Sequence, residues 1–249
     1  MKMIEQFHLA SQYLAMAGKS FLDHLEDDSH TNMGFSIADK SLLTWPLDDS
    51  GTQLGLNYKT FALDWKSNNP QSFSLEGKTH ISVLDWLKSM AQGTDFEKSY
   101  KYELHYVLPY AMDDFKTYHC SSKPETEELI RLRTLAQNVL TTFLKEEKLE
   151  SDVRIWPHHF DTGAFAHLHD GSGKSIGLGL AIPDGMLDDF YFYISGYRGN
   201  THLRTWAFEP LSQGKWHNNG FKGAVLPASK VSAKTGVQFF KEALSAYKR

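Results

Sequence analysis

A chain of 249 residues, 41% hydrophobic and 22% charged, has the makeup of a folded globular protein and excludes the disordered and fibrous classes. Its net charge of −4 supplies no concentrated basic surface, which argues against nucleic acid as a partner. No window approaches the roughly 18 apolar residues of a membrane span, and Met1–Gln6 lacks the apolar core of a secretory signal. Cys120 is the only cysteine, so no internal disulfide can form, and the expectation is a soluble cytoplasmic protein without a membrane partner.

The chain opens on an amphipathic helix from Ile4 to Leu25, whose stripe is Phe7, Ala10, Leu14, Ala17, Phe21 and Leu25. Alternation at Met33, Phe35 and Ile37, and again at Phe61, Leu63 and Trp65, predicts strands, with a further Leu54-Gly55-Leu56 strand between them. A short helix follows, opened by Ser82 and Asp85, with Val83, Trp86, Leu87 and Met90 as its apolar side. Tyr100, Tyr102, Leu104, Tyr106 and Leu108 alternate over a longer run that reads as another strand. Ser122, Pro124 and Glu125 mark the start of a third helix, carried on by Leu129, Leu132, Ala136, Val139 and Phe143. Strands are then predicted at Ala164–His169, Ser175–Ile182, Phe190–Gly196 and His202–Phe208, separated by turn residues at hairpin spacing. A last helix carries Val237, Phe240, Leu244 and Tyr247.

Helix, strands and helix thus occur twice in the same order. A Trp-Pro pair recurs as well, at Trp45-Pro46 and Trp156-Pro157, each followed by a Gly-Leu strand. The predicted class is α+β, with two similar helix–antiparallel sheet–helix halves sharing one extended sheet. The halves are residues 1–115 and 116–249, meeting near Asp113–Lys123, with the candidate site in the second.

Polar chemistry is densest at Trp156-Pro157-His158-His159-Phe160-Asp161 and at His167-Leu168-His169-Asp170. Neutral imidazole ligates zinc, iron, copper or nickel, and a carboxylate can complete the set. His167 and His169 are two apart and share a face if the segment is a strand, which makes them the candidate metal ligands. His159 and Asp161 are the candidate catalytic pair, an imidazole base or ligand oriented by a carboxylate. The spacing matches no closed metal signature, so a half-buried structural role for these histidines competes with the site. Asp170-Gly171-Ser172-Gly173-Lys174-Ser175 ends like a phosphate loop but lies between two strands, and reads as a hairpin turn.

Strand phase defines a second group. With Leu178, Leu180, Phe192 and Ile194 toward the core, the opposite face collects Gly177, Gly179, Tyr191, Tyr193 and Tyr197. Arg204, Trp206, His167 and His169 join them by the same parity. Aromatic walls over a glycine floor suit a small-molecule pocket, and suit an internal or subunit interface equally. The candidate ligand-binding residues are Trp156, His167, His169, Tyr191, Tyr193, Arg204 and Trp206.

An opening helix ending near Gly18-Lys19, His30, Leu43-Thr44-Trp45-Pro46, the long third helix, and Trp156 with His159-Phe160-Asp161 occur in that order. A glycine-rich strand before Phe190, Tyr191 and Tyr193 completes the series. Over residues 5–197 this resembles a bacterial family of uncharacterised proteins, a domain of unknown function. The family pattern has a further His near Thr60-Phe61 that this chain lacks. The resemblance implies the order of the fold and supplies no reaction or cofactor. Three readings of function stay open: a small-molecule-binding module using the aromatic and histidine face, a metal-assisted enzyme built on His159 and Asp161 or on His167 and His169, and a structural protein that forms homo-oligomers.

Overall fold

Four helices and two antiparallel sheets form an α+β architecture in the computed structural model, which describes residues 2–93, 96, 98–110 and 114–249. The sheets are separate, one of five strands and one of seven, which corrects the expectation of a single extended sheet. The described chain divides into two compact units, Met1–Leu132 with Ile155–His158, and Arg133–Arg154 with His159–Arg249. Asp113, where the expected junction begins, lies outside the described residues. Helix–strands–helix order occurs in each half of the chain. The sheets differ in strand number and connection, however, so the likeness is one of element order alone.

In the first unit, α1 (Met3–Phe21) is buried at every residue from Gln6 to Gly18. It is therefore a core helix rather than a surface amphipathic one. It stops before Leu25 because Leu22 turns extended, at ψ 161°, and Leu25 is left 48% exposed. Around it lies a meander, β1 (Gly34–Ser36), β2 (Ser41–Leu43), β3 (Gln53–Asn57), β4 (Ala62–Lys66) and β5 (Gln71–Ser74). Leu54 pairs with Trp65 and Leu56 with Leu63 on the buried strands. Phe7 of α1 meets Tyr58 and Phe61, with ring centroids 4.2 and 5.1 Å apart. Edge strand β5 presents Gln71, Ser72 and Ser74 to solvent, a polar border that discourages further pairing. Helix α2 (His80–Gln92) starts earlier than the Ser82–Asp85 reading, because Thr79 caps it by accepting the Ser82 N–H at 3.3 Å.

The tyrosine-rich run from Tyr100 is no strand, which corrects that prediction. Burial alternates from Lys101 to Tyr110 without a ladder partner among the described residues. Its alternate side chains bond α1 instead: Tyr100 donates to the Tyr13 carbonyl, Tyr106 to Gln12 Oε1, and Tyr110 to His8. Period-two burial arose from an extended strap lying on a helix.

The second unit contains α3 (Lys123–Glu147) from Arg133 onward, and α4 (Ala233–Lys248), capped by Ser232 accepting from Thr235 N–H at 3.1 Å. The strands of the seven-stranded sheet are β6 (Arg154–Ile155), β7 (Thr162–His167), β8 (Lys174–Ala181), β9 (Tyr191–Arg198), β10 (Thr201–His202), β11 (Lys215–His217) and β12 (Gly223–Pro227). They are ordered β11-β12-β9-β8-β7-β6, with β10 on β9. Ala164 opposite Leu178, Leu178 opposite Ile194 and Ala224 opposite Ile194 form one apolar row across four strands. Phe240 of α4 closes the core against Phe192 and Phe143, at centroid distances of 5.7 and 5.4 Å. The segment between β7 and β8 is the expected hairpin turn, with Ser172 N–H on Asp170 Oδ1. No helix among the described residues is long and apolar enough to cross a membrane.

Candidate functional site

Each predicted site residue has a definite position. Parity along β7, β8 and β9 follows the sequence reading. Phe165, His167, Gly177, Gly179, Tyr193, Ser195 and Tyr197 share the face opposite the apolar row. A Cβ on Gly179 would meet the Tyr193 hydroxyl at 2.8 Å, and one on Gly177 would meet the Tyr197 ring at 3.4 Å. The tyrosines themselves therefore lie over the glycine floor. Tyr193 donates to Asp161 Oδ2, while Tyr191 donates to Asp184 at 2.6 Å.

Arg204 and Trp206 are not on this face, which corrects the His202–Phe208 strand. Residues Tyr191–Ile194 of β9 already pair with β12 on that edge, leaving β10 only Tyr197 and Arg198. The chain then turns, with Phe208 N–H on the Thr205 carbonyl, and Trp206 is 72% exposed. His167 is exposed at the end of β7, and His169 is exposed in the turn beyond it.

His159 is exposed, whereas Asp161 is buried. Phe160 between them takes a left-handed φ of 59°, which reverses the direction of successive side chains. Arg133 holds the turn, donating to the Phe160 carbonyl at 2.6 Å and to Thr162 Oγ1 at 2.7 Å. Burial raises the Asp161 carboxyl above its ordinary range, a shift that Tyr193 donation only partly offsets. Asp161 Oδ1 has no hydrogen-bond partner among the described residues.

The convergence of ligating groups occurs elsewhere, in the first unit. His24, Asp28 and His30 each direct one donor atom into a common space, all within 4.8 Å of one another. Among the described residues no other three His, Cys, Asp or Glu side chains gather in this way. The local cause is the turn after α1. Asp28 N–H bonds the Leu25 carbonyl at 2.9 Å, Asp28 itself adopts φ 57°, and a 3₁₀ turn at Ser29–Thr31 follows. Aspartate tolerates that left-handed conformation better than most residues.

His24 stands edge-on to His30, with centroids 5.2 Å apart, and its Nδ1 lies 4.0 Å from Asp28 Oδ1. His105, from the tyrosine strap, brings Nε2 to 3.4 Å from Asp28 Oδ2. Burial and the adjacent His24 push the His30 imidazolium down, favouring its neutral form. Gly18 makes the arrangement possible. A Cβ there would overlap the His30 carbonyl oxygen, so α1 approaches this turn closely only with glycine at that position.

Beside the cluster is a cleft of about 210 Å³, whose walls include Asp27, Asp28, Asn32, His105, Tyr106, Trp156 and His158. A two-way backbone bridge fixes the Trp156 wall, with Met33 N–H on the Ile155 carbonyl at 3.1 Å and Ile155 N–H on Met33 at 2.7 Å. Beneath it the Pro157 carbonyl accepts from His8 Nε2 at 2.8 Å and from Gln12 Nε2 at 2.9 Å. A carbonyl only accepts, so His8 carries its proton on Nε2 and takes the Tyr110 hydroxyl on Nδ1. Gln12 Oε1 accepts from Tyr106 at 2.6 Å, which ties the opposite wall to the same helix.

Trp156 is thus the one predicted ligand-binding residue at this cleft, and His30 was marked only through the family resemblance. His24 and His105 were missed. Their signal, His-x-x-x-Asp-x-His in a turn with a third histidine 75 positions after His30, follows no established spacing. No protein-family model, curated protein or solved structure matches this chain.

Proposed function

We propose that this protein is a small-molecule-binding module whose ligand occupies the cleft beside Trp156. The observation that carries the reading is the convergence of an indole, a phenol, two carboxylates and two imidazoles on a 210 Å³ space whose walls are tied to a buried helix. Aromatic surfaces supply contact area, and a few fixed polar groups supply orientation, as ligand sites require. The volume lies below the about 300–1,000 Å³ of drug-sized sites, which limits the ligand to a small metabolite such as a single polar ring. The lone cysteine fits a reducing, cytoplasmic setting for this activity.

Thermal-shift screening against small metabolites tests the reading. A ligand at a hundredfold excess over its Kd stabilises the folded chain by about 2.7 kcal/mol. The expected result is a compound that shifts the wild type, quenches tryptophan fluorescence, and loses its effect on Trp156→Ala. A hit that stabilises Trp156→Ala and the wild type equally overturns the assignment to this cleft. So does a broad library without a hit.

A further inference from the structure

We propose that His24, Asp28 and His30 form a site for one divalent transition-metal ion that shares Asp28 with the wall of the Trp156 cleft. Two imidazoles and one carboxylate suit zinc, cobalt, nickel or iron, whereas calcium and magnesium prefer all-oxygen cages. The donor atoms already lie within 4.8 Å of one another. A shared ion with bonds of about 2.0–2.1 Å needs donors about 3.4 Å apart, so the largest gap to close is about 1.4 Å. His24 can supply that movement, because its side chain is 73% exposed and turns about χ1 and χ2 without disturbing the core. Nδ1 of His30 is engaged by the Leu25 N–H at 3.3 Å, a bond long enough to yield to coordination.

The surroundings fit a metal centre in a second respect. A ligating carboxylate is normally steadied through its other oxygen, and His105 Nε2 faces Asp28 Oδ2 at 3.4 Å. Three protein ligands leave coordination positions open, and Asp28 and His105 both belong to the cleft wall. Asp28 thus belongs to both the cluster and the cleft wall, and an oxygen or nitrogen donor of a molecule bound in the cleft would complete the shell. In this respect the inference rests on the cleft reading, while binding of the ion itself does not.

The test is titration of the full chain, purified without a histidine tag and treated with chelator, with Co²⁺ followed by its visible absorption and then displaced by Zn²⁺. One equivalent is expected to bind with micromolar or tighter Kd, unaffected by millimolar Mg²⁺. Asp28→Asn and His24→Ala are each expected to weaken binding tenfold or more. His24 is exposed, so that variant keeps its fold even if His30→Ala does not. His167→Ala combined with His169→Ala should leave the Kd unchanged. Absence of a saturable cobalt site tighter than 100 μM overturns the proposal. Binding that survives both Asp28→Asn and His24→Ala also overturns it. Either result leaves the cleft reading to its own test, because the metabolite screen is run on metal-free protein as well.

Discussion

Gly18→Ala separates two opposed effects of similar size. In an ordinary helix the change is favourable by about 1 kcal/mol, since alanine loses less backbone freedom on folding. Here the new methyl would overlap the His30 carbonyl oxygen and lie 3.3 Å from both the His30 carbonyl carbon and the Thr31 Cα. These are backbone atoms of a turn held by Asp28 and Ser29 carbonyl bonds to Thr31 and Asn32, and they cannot swing aside like a long side chain. Helix α1 is buried through Gly18 and has equally little room to retreat. Overpacking of this kind costs about 1–3 kcal/mol, so the balance is a net loss of about 1 kcal/mol. Urea denaturation followed by far-UV circular dichroism measures it as a lower midpoint at unchanged m-value. Cobalt affinity should fall in parallel as His30 shifts. A variant more stable than wild type by 0.5 kcal/mol or more would refute the packing argument, because propensity alone would then have prevailed.

Two further predictions concern the second unit. Arg133→Met removes charge-assisted bonds to the Phe160 carbonyl and Thr162 Oγ1 and the guanidinium contact 4.3 Å from the Phe160 ring centre. It should cost about 3 kcal/mol in urea, and a loss below 1 kcal/mol would remove Arg133 as the holder of that turn. For Asp161, burial raises the folded carboxyl above its unfolded value near 3.8, so the folded chain keeps this proton over a range in which the unfolded chain has lost it. Stability therefore falls as pH rises through that window and stays lower above it. Asp161→Asn should flatten this part of the stability–pH curve and equal or exceed wild type at neutral pH. Identical slopes for the two proteins would contradict the assignment.

How much of this could be read from the residues depended on what each pattern physically reports. Leu178, Leu180, Phe192 and Ile194 fall on the core face as their alternation required, because both strands have neighbours on each edge and a helix layer on one side. The run from Tyr100 has the same alternation and no ladder. Period two records which side chains are buried, and a strap whose tyrosine hydroxyls bond a helix meets that condition as well as a strand does. Arg204 and Trp206 were misplaced for a related reason: whether β9 had a free edge beyond Ile194 depended on β12, a distant segment. Edge strands such as β11 are too short to carry a period at all.

The site was less legible than the fold. Asp28 and His30 come together with His24 only because one aspartate takes a left-handed turn, and propensity scales weigh that conformation lightly. His105 arrives from the strap, whose course was not predicted. Trp156 was singled out for its neighbours His159 and Asp161. Phe160 takes a left-handed φ, and the residues that share a cleft with Trp156 include Pro157 and Tyr106 instead.

Doubling of donors on the Pro157 carbonyl has a consequence for how the cleft would adapt to different occupants. Both lone pairs of that oxygen are committed to side chains on buried helix α1, so under the proposed reading the indole side would be a fixed wall that selects by outline. His24, which lies 4.0 Å from the cleft residue Asp28, is by contrast largely solvated. Natural variation should accordingly be tolerated at His24 wherever another ligating side chain can reach. At His8 and Gln12 it would be resisted, although neither residue lines the cleft.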